Sequence, residues 1–89
     1  MKNEEIIKRI KNIEGHLHGI GGMLEEEKYC IDIIEQIQAV QAALNKVNLI
    51  ILDNHLHSCV TTAIRGSDAD ERERVLQEIV KLYETAIKV

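Results

Sequence analysis

The chain has 89 residues, a net charge of −4, two cysteines and no Pro, Phe or Trp. That is one domain with an aliphatic core, since Tyr29 and Tyr83 are its only aromatic residues. No apolar run reaches the roughly 18 residues a membrane span needs, and the acidic balance argues against nucleic acid as a partner, an argument softened by the clustering of acids in Glu25-Glu26-Glu27 and Asp68 to Glu73. Met1-Lys2-Asn3-Glu4-Glu5 does not read as a secretory signal. The expected compartment is therefore the cytoplasm, where thiols stay reduced and paired cysteines point to a metal or redox site more than to a disulfide.

Helix one is expected from Asn3 to Glu27. Its apolar positions Ile6, Ile10, Ile13, Leu17, Ile20 and Leu24 step by four and three, the pattern of a helix packed lengthwise on another. Asn3 is the expected N-cap, with Glu4 and Glu5 at the positive end of the dipole. Gly15, Gly19, Gly21 and Gly22 are costly inside a helix, up to about 1 kcal/mol each relative to Ala. Close helix contacts are one reason to keep them; clearance for a bulky partner such as a phosphate backbone is another. Lys2, Arg9 and His16 recur by sevens along one flank, and Lys8 and Lys11 widen it. Such a flank is commonly a solvated face. The chain has no helix-turn-helix, zinc-finger or RNA-binding signature.

After the acidic connection Glu25-Glu26-Glu27-Lys28, helix two is expected from Tyr29 to Ile64. Its seam is Ile33, Ile37, Val40, Leu44, Val47 and Ile51, and no Gly or Pro interrupts it before Gly66. Cys30 opens the helix, where the dipole favours a thiolate. Tyr29 beside it is read either as a shield for the sulfur or as ordinary core. His55 and Cys59 are four apart and so share a face near the far end. His57 points away from that face. Lys46 is the only base in the middle of this helix, and snorkelling explains it adequately.

Cys30 lies about 37 Å from His55 along a straight helix at 1.5 Å per residue. Metal–ligand bonds are about 2 Å long, so one ion cannot reach both ends of one chain. Either Cys30 is unrelated, or an antiparallel second copy brings its own Cys30 to the His55–Cys59 end. Ala39, Ala42 and Ala43 sit at the midpoint and allow close approach there. We read the chain as an antiparallel homodimer, the commonest oligomer being two-fold, with two identical sites each made by both chains.

Gly66 is the expected stop, Ser67 or Asp68 is the expected cap of a third helix running to about Lys88, and Asp68 with Glu71 resembles a capping box. Its apolar positions Val75, Leu76, Ile79, Val80, Leu82, Tyr83, Ala86 and Ile87 cover more than one seam, which predicts packing against more than one neighbour. The fold class is all-α, three helices per chain over a single domain of residues 1–89.

Two thiolates and an imidazole are a soft set of three, which suits Cu(I) better than a structural zinc site with its usual four ligands. Nothing supports catalysis: there is no carboxylate pair in a cleft, phosphate loop or nucleophile–base set. A thiol redox or persulfide sensor using Cys30 and Cys59, and a metal-free helical adaptor, are the alternatives.

Arg9-Ile10 followed by Ile13-Glu14-Gly15-His16-Leu17 resembles the opening of the CsoR family of copper-sensing transcriptional repressors. Tyr29-Cys30-Ile31-Asp32-Ile33, Gln36-Ile37, Ala39 to Leu44 and His55-Leu56-His57-Ser58-Cys59-Val60 continue the likeness through nearly the whole chain. The resemblance implies an antiparallel dimer forming a four-helix bundle, a homotetramer built as a dimer of dimers, and binding of double-stranded operator DNA that Cu(I) weakens. It implies Cys30 of one chain with His55 and Cys59 of the other as metal ligands, Tyr29 and Glu78 around them, and Arg9 and Lys46 on DNA. His16 departs from the Gln common at its position. The family also holds nickel/cobalt, formaldehyde and persulfide sensors, which differ from the Cys-His-Cys pattern seen here.

Overall fold

A computed structural model describes residues 3–87, and every regular element in that range is helical. Helix α1 spans Glu4–Glu25 and α2 spans Cys30–His55. A π-helical turn, Leu56–Val60, leads into α3, Thr61–Arg65, and α4 spans Ala69–Ile87. The backbone stays right-handed helical at His55, Val60 and Thr61. Helix α2, the π turn and α3 are therefore together the second of the three expected helices, interrupted where the sequence predicts none. None of the described helices is long and apolar enough to cross a membrane.

The chain divides into two compact units, residues 1–51 and 52–89. In the first, Ile6, Ile13 and Ile20 of α1 and Ile33, Val40 and Val47 of α2 form one buried cluster, flanked by Ile10, Met23, Ala43 and Ile50. Each buried set repeats by sevens, as two helices packed along their length require. Only part of each expected seam is used. Leu17 is 51% exposed, Leu24 59% and Leu44 41%, with Ile37 and Ile51 equally open. Within one chain a two-helix contact has a single line of closest approach, so the second line of each seam has nothing to face.

Helix α1 ends two residues before expected, at Glu25. The Glu27 N–H donates to Leu24 O and the Lys28 N–H to Met23 O, at 3.1 and 3.0 Å. This is a Schellman closure, with Glu27 in the left-handed region at φ 54° where Gly is usual. At the other end Asn3 occupies the N-cap position, but its side chain makes no capping bond. A Cβ on Gly15, Gly19, Gly21 or Gly22 would meet nothing within 4 Å, so no helix of this chain presses on them.

In the second unit α4 packs on the π turn and α3. Val60 and Val75 are its buried side chains among the described residues. Asp68 Oδ1 accepts the N–H groups of Asp70 and Glu71, at 3.0 and 3.1 Å, and caps α4 as expected. The reciprocal half of the box is missing, because the Glu71 carboxylate binds Arg74. Gly66 ends α3 in an extended conformation, φ −73° and ψ 172°, so the stop does not depend on left-handed geometry. The expected end of the last helix at Lys88, and Lys2 of the basic flank, lie outside the described residues.

Candidate metal centre

Cys30 is the first residue of α2, exposed and unpaired as a thiol. Tyr29, just before it, accepts the Ile33 N–H at its carbonyl oxygen, 3.2 Å away, and is itself 66% exposed. The core role considered for Tyr29 is therefore not taken within the chain. The thiol end of α2 is open to solvent or to a partner.

His55 is the last residue of α2, half-buried, and Cys59 lies in the π turn, exposed. The turn is built by side chains that bind the backbone. The Thr61 N–H reaches Leu56 O, five residues back, and the Thr61 Oγ1 hydroxyl donates to the same oxygen at 2.5 Å. Ser58 Oγ donates to Asn54 O at 2.7 Å and lies 3.7 Å from Cys59 Sγ; Thr62 Oγ1 donates to Ser58 O at 2.7 Å. His57 lies 2.9 Å from Asp53 O and 3.3 Å from the Asp53 carboxylate. A π turn is often found at functional sites. The residues that make it were not foreseen, although the run Ser58-Cys59-Val60-Thr61-Thr62 carries a signal: Ser and Thr inside a helix compete for its carbonyls.

Among the described residues, no three His, Cys, Asp or Glu side chains of one chain come together as a metal cage. The donor set is nonetheless suited to a soft ion: two free thiols and one imidazole, with both sulfurs accessible. Glu78, expected near the ligands, is bound on α4 by Arg74, which also holds Glu71. The Arg74 guanidinium keeps the Glu71 carboxyl below the usual carboxylate range, and the two carboxylates raise the Arg74 pKa further.

The basic flank is also partly tied. Arg9 pairs with Glu5 at 3.1 Å, while Lys8, Lys11 and Lys46 are exposed. Arg9, Asn12, Ile13, His16 and Ala43 line an open groove of about 210 Å³ between α1 and α2. His16 Nε2 lies 2.7 Å from Gln36 Oε1 and fastens the two helices there, a link no local pattern announces. Lys46 follows Ala43 by three residues and so shares that side of α2.

A family model for metal-sensitive transcriptional repressors matches residues 2–85. The copper-sensing transcriptional repressor CsoR of Bacillus subtilis (strain 168) is 40% identical over 82 residues, 92% of this chain and 81% of that protein. The structure of the copper-sensing repressor CsoR with Cu(I) from Geobacillus thermodenitrificans NG80-2 superposes with a TM-score of 0.87 at 41% identity, covering 97% of this chain and 86% of that one. The nickel-responsive transcriptional regulator InrS follows with a TM-score of 0.80 at 29% identity, covering 93% of both chains. These relatives regulate transcription and are not enzymes. An all-helical chain with exposed soft donors, matched along nearly its whole length by such proteins, belongs to the family of metal-sensitive transcriptional repressors.

Proposed function

We propose that this repressor senses Cu(I), held by Cys30 of one protomer with His55 and Cys59 of another, and that binding releases operator DNA. The observation that carries the reading is the placement of the donors. Both thiols are free and exposed, one at the start of α2 and one on the π turn beside His55. A thiol at position 59, where an imidazole would suit nickel equally well, favours the softer ion. Relatives named as copper-sensing repressors, and a similar structure containing Cu(I), support the same choice.

A homodimer supplies the missing half of each site and a partner for the uncovered seam. Leu17, Leu24, Ile37, Leu44 and Ile51 are apolar side chains left open on α1 and α2. Covering the exposed half of each contributes about 1 kcal/mol. Val80, Leu82 and Tyr83 of α4 are open as well, which supports assembly beyond a dimer. Tyr29 and Glu78 surround the ligands in this reading, and Arg9, Lys46, Lys8, Lys11 and Lys2 meet the phosphate backbone. Glu78 must then leave Arg74 or share it. The metal supplies a strong tie between the two chains. By linkage, an ion that binds the DNA-free form more tightly lowers DNA affinity by the same factor.

Anaerobic Cu(I) titration followed by X-ray absorption tests the site: two sulfurs and one nitrogen per ion are expected. Operator affinity is then measured with and without Cu(I) at one salt concentration, because phosphate contacts dominate such affinities. An unchanged affinity overturns the reading. The exposure of both thiols also favours a second reading, a thiol-oxidation or persulfide sensor. The His55→Ala variant separates the two. It abolishes the response of a copper sensor and leaves that of a thiol sensor intact, whereas Cys30→Ala damages both.

A further inference from the structure

We propose that Thr61 is a positioning residue for the metal centre: its hydroxyl holds the π turn that sets the angle between His55 and Cys59. The inference rests on the copper reading for its metal-binding part and on the hydrogen bonds of Thr61 for the rest. Leu56 O receives the N–H of Thr61, which Ser58 O shares, and the Thr61 Oγ1 hydroxyl, the latter at 2.5 Å. An ordinary α turn would give Leu56 O the N–H of Val60, four residues on. The Thr61 hydroxyl therefore adds a second bond to the i→i+5 arrangement, and does so at the residue that closes the turn.

The consequence falls on the donors. In an α turn, residue i+4 lies just past residue i around the axis; where bonds run i→i+5, residue i+4 falls short of it. The π turn thus swings Cys59 to the other side of the His55 direction, by tens of degrees. Metal sites tolerate errors of about 0.2 Å in ligand distance, so the two arrangements present different donor pairs to an ion. Ser58 and Thr62 bind Asn54 O and Ser58 O in the α-like i−4 manner and favour neither form. Thr61 alone bonds five residues back.

The test uses the full-length reduced protein and the pair Thr61→Val and Thr61→Ser. Valine keeps the branched shape and loses the hydroxyl; serine keeps the hydroxyl. In the metal-free protein, a nuclear Overhauser contact between Leu56 Hα and the Thr61 amide reports the π turn. It is expected in the wild type, lost in Thr61→Val and restored in Thr61→Ser. Cu(I) affinity by chelator competition is expected to fall about tenfold in Thr61→Val, at the lower end of what losing a ligand-orienting partner costs, and to return in Thr61→Ser. A Thr61→Val protein that retains the contact, or loses it and binds Cu(I) within twofold of wild type, overturns the proposal. A wild type that takes up no Cu(I) overturns the copper reading, and with it the metal role of Thr61; the Overhauser contact still reads whether Thr61 holds the turn.

Discussion

Residues 4–51 and residues 52–87 are both helical, yet different forces shape them. In the first region, three residues of α1 and three of α2 recur by sevens and bury one another, and among the described residues no polar side chain is buried with them. In the second, buried apolar contact shrinks to Val60 and Val75, and side chains of Ser58, Thr61, Thr62 and Asp68 bind the backbone directly. Regular burial makes a stiff, interchangeable rod. Side-chain bonds to carbonyls make a local irregularity at a chosen place, and the irregularity coincides with Cys59. On the proposed copper reading, the rod sets the distances between chains and the turn aims a ligand.

The largest expected effect breaks the first region. Ile13→Ala removes a side chain that is 7% exposed and should destabilise the fold by about 2–5 kcal/mol in urea titration. Leu44→Ala sharpens the comparison, because Leu44 is 41% exposed in one chain. Its cost should be smaller than that of Ile13→Ala and should grow with protein concentration where a second chain covers the open seam. A concentration-independent loss in Leu44→Ala would deny that seam a partner.

A smaller effect, of opposite sign, lies at the junction of α1 and α2. Glu27 sits in the left-handed region and closes a stretch of three acidic residues at the negative end of the α1 dipole. Glu27→Gly relieves both and should raise stability by about 1 kcal/mol. An unchanged or lowered thermal midpoint would contradict the Schellman geometry.

The smallest effect concerns α4. The depressed pKa of Glu71, caused first by its hydrogen bond to Arg74, means that ionised Glu71 stabilises the folded chain. That contribution is present above the unfolded glutamate pKa of about 4.3 and is lost as pH falls through the lower folded value. Glu71→Gln should therefore melt below the wild type at neutral pH, and the gap should close on acidification. A gap of constant size from neutral to acidic pH would show that the ion pair is not its source. The pair is exposed, so the difference is small.

Much of the fold was written in spacing. The sevens of Ile6, Ile13 and Ile20 and of Ile33, Val40 and Val47 announce two helices that lie along each other, because helix periodicity and burial share one geometry. Asp68 announces a cap by chemistry that acts within three residues. The candidate donors were legible too, since thiols and imidazoles are few and their separation along a helix is fixed by its rise. Less legible was which line of each seam the chain itself would bury. That depends on the line of approach between α1 and α2, and the pattern allows either one.

The sequence by itself determined an all-helical chain, its helix-forming stretches and the soft character of its donors, because these follow from periodicity, capping and ligand chemistry that act over a few residues. Tertiary structure decided the rest. It chose which line of each seam the chain buries and tied His16 to Gln36. Each of these is a choice among nearly equal partners that lie far apart along the chain. Such contests are settled by where the backbone places the competitors, a quantity no local pattern contains.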